Sequence, residues 1–271
     1  MGIERVDVDG LTITYERAGS GPLLMLLHGY LGDGPSVWRH QIDGLASDFT
    51  VVAWNAPGAG ASSDPPETFG IDGYAECLAR FLDSLGLGRA HIMGLSFGGA
   101  LALAFQRRHQ AWTKTLVLVS AYAGWRGSLG LEAAEARLAQ AIRLSQVSPD
   151  ELVETLLPTM FALPVSPDDL TAYRAAMADF HPGGFRAMAV ASAEDVSDVL
   201  STIVVPTLLV YGDNDARAPM AVAERLHAAI ESSRLVVLEG AGHVCNVELP
   251  ERFNEEVRAF LLPNRIASGS H

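Results

Sequence analysis

The sequence predicts an α/β domain with a mostly parallel central sheet, helices on both faces and a helical insertion. Three observations carry this expectation. Short apolar runs recur along the 271 residues, and they are continuous rather than alternating, as in strands buried on both faces. Segments with apolar spacing near 3–4 separate most of these runs, and strand–helix repetition implies a parallel sheet covered by helices. From about Gly124 to Leu200 the rhythm stops, and the segment reads as several helices.

The elements follow in order. Residues 3–8 and 11–17 alternate around Asp9-Gly10, whose positive φ preference suits a tight hairpin. Buried strands are expected at 23–27 (LLMLL), 49–54 (FTVVAW), 89–93 (RAHIM), 115–121 (TLVLVSA), 206–212 (PTLLVYG) and 234–240 (RLVVLEG). Helices are expected over 71–85, 98–109, 219–230 and 250–262, with Pro219 and Pro250 where proline suits a first turn. Ser148-Pro149 and Ser166-Pro167 read as helix starts inside the insertion. A single crossover does not need roughly 75 residues, so the insertion reads as a lid. The expected organisation is a core of residues 1–123 and 201–263, a lid of 124–200, and a disordered tail of 264–271.

Composition narrows the function. About half the residues are hydrophobic, enough for a sizeable core, and the net charge is −13 from 32 acidic and 19 basic residues. That balance argues against nucleic-acid partners, which need clustered Lys and Arg, and against anionic membrane surfaces. No apolar run is long enough to span a bilayer. The opening MGIERVDVDG lacks an apolar leader core, and Cys77 and Cys245 have no metal-ligand spacing. The expectation is a cytoplasmic protein with two free thiols, no metal and no organic cofactor, acting on a small molecule.

The motif that carries chemistry is Gly94-Leu95-Ser96-Phe97-Gly98, a G-x-S-x-G placed where a strand ends and a helix begins. A serine on such a sharp, strained turn projects its hydroxyl above the sheet, and Gly94, Gly98 and Gly99 supply the room. The following helix points its N-terminus at the serine, which favours negative charge developing there. A serine hydroxyl needs a base to take its proton and a third group to orient that base. His243, in EGAGHVCNVELP after a strand, is the preferred base, with His181 in DFHPGG as the rival. In YGDNDARAP, Asp213 suits a turn cap, and Asp215, deeper in the loop, suits the orienting acid. Oxyanion donors are expected from the backbone N–H of Phe97 and, in the loop after LLMLL, of Tyr30, beside His28 and Gly29.

These pieces resemble the α/β-hydrolase fold superfamily. The resemblance runs from the opening hairpin to PERFNEEVRAFL through HGY at 28–30, NAPGAGAS at 55–62, GLSFGG at 94–99, GDND at 212–215 and GAGH at 240–243. The chain order Ser96, Asp215, His243 is that of the superfamily. Serine at the elbow sets aside the haloalkane dehalogenase and epoxide hydrolase branches, which carry aspartate there. The tail GHVCNVELPERFNEEVRAFL is similar to that of 3-oxoadipate enol-lactonases, though His28-Gly29 departs from their usual oxyanion loop. The resemblance therefore implies a carboxylic-ester or lactone hydrolase. Alternatives on the same fold are a C–C bond hydrolase of a ring-cleavage pathway, a slow-turnover receptor, or a lyase, perhydrolase or cofactor-free oxygenase. Gly29, Trp125, Met160, Phe161, Phe180 and Met188 are the candidate pocket residues. Arg126, Arg137, Arg143, Arg174 and Arg186 are the lid arginines available to a substrate carboxylate.

Overall fold

A computed structural model describes residues 2–66 and 68–262. Eight strands form one sheet: β1 (Glu4–Val8), β2 (Leu11–Ala18), β3 (Leu23–Leu27), β4 (Thr50–Trp54), β5 (Ala90–Leu95), β6 (Thr113–Val119), β7 (Thr207–Gly212) and β8 (Ser233–Leu238). Their order across the sheet is β1-β2-β4-β3-β5-β6-β7-β8. The pairs β1–β2 and β2–β4 are antiparallel, and the rest are parallel.

The parallel strands fall on the expected apolar runs, but β8 is not buried on both faces as expected: it is the edge strand, and only its Leu238 is buried. Every residue of β3, β4 and β7 is buried, because helices cover both faces. Each large side chain so buried contributes about 1.5–3 kcal/mol. The covering helices include α1 (Gly34–Val37), α2 (Arg39–Leu45), α3 (Gly70–Ser84) and α4 (Phe97–Arg108). At four residues, α1 is too short to show a period in the sequence; Asp33 caps it by accepting from Ser36 N–H.

Between β6 and β7 lie five helices: α5 (Gly124–Leu129), α6 (Leu131–Leu144), α7 (Pro149–Leu156), α8 (Pro167–Ala178) and α9 (Pro182–Ala193). Ser148 and Ser166 cap α7 and α8 through their hydroxyls, with proline in each first turn, as the Ser-Pro pairs predict. The two ends of this stretch meet: Val196 N–H donates to the Ala123 carbonyl at 3.0 Å. Gly124, at φ +70, lies so close to Glu194 that an added Cβ would be 1.8 Å from its carbonyl oxygen. The chain closes with α10 (Met220–Ala229), α11 (Cys245–Glu248) and α12 (Pro250–Leu261). Pro250 is in the first turn of α12, whereas Pro219 stands one residue outside α10 as its cap. The tail expected at 264–271 lies outside the described residues, as does Pro263 at the expected core boundary.

Strands β3, β5, β7 and β8 run parallel, so the loops after their carboxyl ends gather along one edge. Those loops carry Gly29-Tyr30, Ser96, Asp215 and His243 respectively.

Candidate active site

Ser96 links β5 directly to α4 and holds φ 54 and ψ −110, a conformation uncommon for a residue with a Cβ. The glycines explain how the turn persists. A Cβ on Gly94 would lie 2.1 Å from the Gly98 carbonyl oxygen, and one on Gly98 would lie 2.1 Å from that of Leu27. One on Gly99 would meet Ala121 Cβ at 2.4 Å. The turn is also anchored across the sheet, with Ser96 N–H donating to the Val119 carbonyl at 2.9 Å. Phe97 and Gly98 open α4, where N–H groups lack intrahelical acceptors and the helix dipole is positive.

His243 and Asp215 are joined. The Nδ1 of His243 lies 2.9 Å from Asp215 Oδ2 and 3.1 Å from Oδ1, and both side chains are buried. Asp215 Oδ1 also accepts the N–H groups of Arg217 and Ala218 at 2.7 and 2.8 Å. Burial alone would raise the Asp215 carboxyl. The charge and hydrogen bond of His243, with those two N–H groups, outweigh it and hold the carboxyl below its ordinary 3.8. Asp213, two residues earlier, is used differently. Its carboxylate accepts Gly240 N–H at 2.6 Å, tying the loop after β7 to the loop after β8. The rival base, His181, lies away at the start of α9, paired with Asp64 at 2.7 Å near the surface.

Ser96 and His243 share one small cavity with Gly29, Tyr30, Leu31, Leu95, Met160 and Tyr173. Its volume of about 10 Å³ is about that of a single water site. Met160 and Tyr173 reach it from the stretch between β6 and β7. A larger depression of about 450 Å³ lies at the outer seam of α6 and α9, lined by Asp64, Ile142, Arg186 and Val190 among others. It holds neither Ser96 nor His243, so volume alone does not locate the chemistry.

Of the six expected pocket residues, Gly29 and Met160 line the small cavity. Trp125, Phe161, Phe180 and Met188 are not among its lining residues. Trp125 packs edge-on to Tyr30 (5.8 Å between centroids), Phe161 to Tyr173 (5.1 Å) and Phe180 to Phe185 (5.6 Å), and Met188 is buried in the core. Aromatic side chains of the insertion satisfy their apolar surface against one another, and only the first layer reaches the cavity. Three of the five lid arginines have other partners. Arg174 pairs with Glu154, Arg186 lies 3.5 Å from the Ser145 hydroxyl, and Arg137 donates to Tyr122 Oη and the Arg217 carbonyl.

Three residues escaped sequence reasoning. Tyr173, on α8, lines the cavity without any local signal. Glu248 is buried and accepts three N–H groups: Ala162 and Leu163 on Oε1, and Gly242 on Oε2. With Val244 N–H donating to the Met160 carbonyl, it fastens the 160–163 segment onto the His243 loop. Arg217, inside DARAP, is buried and donates to Tyr30 Oη and Thr159 Oγ1. An arginine two residues after the acid was the available signal. His28 proves to be a connector: burial holds it below its ordinary 6.5, and its Nε2 accepts Ala56 N–H at 2.9 Å. Cys245 is buried and its thiol is pushed upward, chiefly by burial, which suits a passive residue. Among the described residues no His, Cys, Asp or Glu cluster is arranged to hold a metal, and no helix is long and apolar enough to cross a membrane.

Residues 22–249 match the family model described as alpha/beta hydrolase fold. A Pseudomonas savastanoi protein provisionally named carbamate hydrolase RutD is 30% identical over 251 residues, covering 89% of this chain and 93% of its own. The 3-oxoadipate enol-lactonase 2 of Acinetobacter baylyi is 29% identical over 236 residues, covering 85% of each. A solved thermophilic esterase from Thermogutta terrifontis superposes with a TM-score of 0.84 at 27% identity, covering 96% of this chain and 98% of its own.

Proposed function

We infer the reaction from one premise: the chain belongs to the alpha/beta hydrolase fold family and is a hydrolase of small molecules. We propose that it cleaves a carboxylic ester or a lactone through an acyl-enzyme on Ser96. The observation that carries this is the shared cavity of Ser96 and His243, with His243 held by the buried Asp215 carboxylate.

In this reading Ser96 Oγ attacks the carbonyl carbon while His243 takes its proton at Nε2. Asp215 holds Nδ1–H, fixing the tautomer that leaves Nε2 free to accept, and stabilises the imidazolium that forms. The tetrahedral oxyanion sits at the N-terminus of α4, receiving the N–H of Phe97 and that of Tyr30 from the loop after β3. His243 then protonates the leaving alkoxide. A water molecule attacks the acyl carbon with His243 as base, and the acid departs. The helices between β6 and β7 act as the lid, with Met160 and Tyr173 reaching the site from that stretch.

A second reading comes from the relative named as a carbamate hydrolase, whose bond type the same steps would open with an amine leaving group. The test is turnover of graded p-nitrophenyl esters, lactones including an enol-lactone, and a carbamate, beside Ser96→Ala. Multiple turnovers on esters or lactones, lowered by about 10⁴-fold or more in Ser96→Ala, are expected. Ester turnover that survives the substitution defeats the serine assignment, and turnover confined to the carbamate selects the second reading.

A further inference from the structure

Among the described residues Arg217 is the only buried arginine. Arginines nearer the surface meet carboxylates: Arg39 with Glu16, Arg107 with Asp72, Arg108 with Glu76, Arg258 with Asp48. Among the described residues Arg217 has no such ion pair; its guanidinium donates to two neutral hydroxyls, Tyr30 Oη and Thr159 Oγ1. Its Cζ also lies 5.5 Å over the Tyr30 ring. A guanidinium taken out of water is best answered by an anion hydrogen-bonded to it, and Arg217 has none among the described residues.

The Asp215 charge favours the Arg217 guanidinium without accepting a hydrogen bond from it, and the oxygens of the nearby carboxylates have other partners. Asp215 is held by His243 and two N–H groups, and Glu248 by three N–H groups. A second cation sits behind the first. Arg137 donates to the Arg217 carbonyl and to Tyr122 Oη, and it lies over the rings of Tyr122 and Trp125 at 5.4 and 5.6 Å. Two guanidinium groups without ion-paired carboxylates thus stand together behind the Ser96 cavity, in a chain of net charge −13. Tyr30 joins them to it: its hydroxyl receives Arg217 and the residue lines the cavity with Ser96 and His243.

We propose that Arg217 is a specificity-determining residue that selects substrates carrying a carboxylate besides the scissile ester or lactone, held by its guanidinium with the Tyr30 and Thr159 hydroxyls. The inference rests on the ester or lactone reading above and deepens it. The planar fork has donors beyond the two in use, so a carboxylate can be received without releasing the hydroxyls. In a dry site this charge–charge attraction is little screened, whereas a neutral ester of the same shape gains none of it.

The test uses Ser96→Ala, in which binding is separated from turnover. Monomethyl glutarate and its neutral counterpart dimethyl glutarate are titrated calorimetrically. The expected result is at least tenfold tighter binding of the anionic ester, with the preference reduced at least tenfold when Arg217→Met is added. Arg217→Lys, which keeps the charge and loses the fork, is expected to fall between. Equal affinity for the two esters in Ser96→Ala overturns the proposal without any Arg217 variant. So does an Arg217→Met that weakens both in the same proportion, the mark of a structural role. Turnover of either ester by the unsubstituted protein reports separately on the hydrolase reading, so the two failures are distinct.

Discussion

At the carboxyl ends of the strands, Ser96, Asp215 and His243 are all buried; Ser96 is tied through its backbone N–H to the Val119 carbonyl, and Asp215 and His243 are tied to each other through their side chains. In the insertion between β6 and β7, large apolar side chains divide between two environments. Trp125, Met160, Phe185 and Met188 are buried, while Leu131, Ile142, Leu170 and Val190 stand exposed on the outer faces. The two regions are therefore specified in different ways. The strand-end region is set by backbone: strand register, an elbow that glycine alone permits, and loop hydrogen bonds. The insertion is set by side-chain packing between amphipathic helices, which tolerates change at most single positions.

Substitutions that test this contrast are graded in effect. On the proposed mechanism, Asp215→Asn lowers kcat roughly 10³–10⁴-fold, because an amide cannot hold the Nδ1–H tautomer of His243. Steady-state kinetics on the best ester measures it; a loss under tenfold removes Asp215 from that role. Gly98→Ala places a methyl 2.1 Å from the Leu27 carbonyl oxygen, a backbone atom that cannot swing aside. The expected cost is about 2–4 kcal/mol with loss of activity, read by urea unfolding and the ester assay together.

In the insertion, Phe180→Ala removes one partner of the Phe180–Phe185 pair, and Phe180 is half-buried. About 1–2 kcal/mol of stability is expected to go, with kcat/KM changed less than tenfold. A larger kinetic effect would place Phe180 against substrate, and would give the insertion a chemical role.

The smallest effect is a pH response. His28 is held below 6.5 by burial, and His91 is lowered to about 4 by burial and then by Lys114. Between about pH 6.5 and 4 the unfolded chain binds protons that the folded chain refuses, so stability falls as pH falls through that window. The Asp215 contribution has the same sign but lies lower: it is complete above 3.8 and lost as pH falls below it. After discounting for solvent at the His91 ring, Tm is expected to fall by roughly 2–4 °C from pH 7 to 5, and less in His91→Gln. A Tm that is flat or rises on acidification contradicts the assignment of these two rings as neutral.

Much of this molecule was legible in its sequence. The strands at 23–27, 50–54 and 207–212 announce themselves because burial on both faces demands unbroken apolar runs. The glycines around Ser96 announce the elbow, since only residues without a Cβ pass that close to neighbouring backbone. Serine, aspartate and histidine after three separate strands follow from the same logic, because chemistry on a parallel sheet gathers where the strands end.

Only the tertiary structure decided the rest. Folding placed β4 between β2 and β3, made Asp213 a link between two loops rather than a turn cap, and set Glu248 on three N–H groups from 162, 163 and 242. It also chose Met160 over Phe161 for the cavity and buried Arg217 in the loop after β7. The physical reason is the same in each case. Apolar periodicity and backbone strain are local and leave a trace in neighbouring residues. The partner of a buried charge or an aromatic ring is chosen across tens to hundreds of residues, by which surfaces meet when the helices close over the sheet.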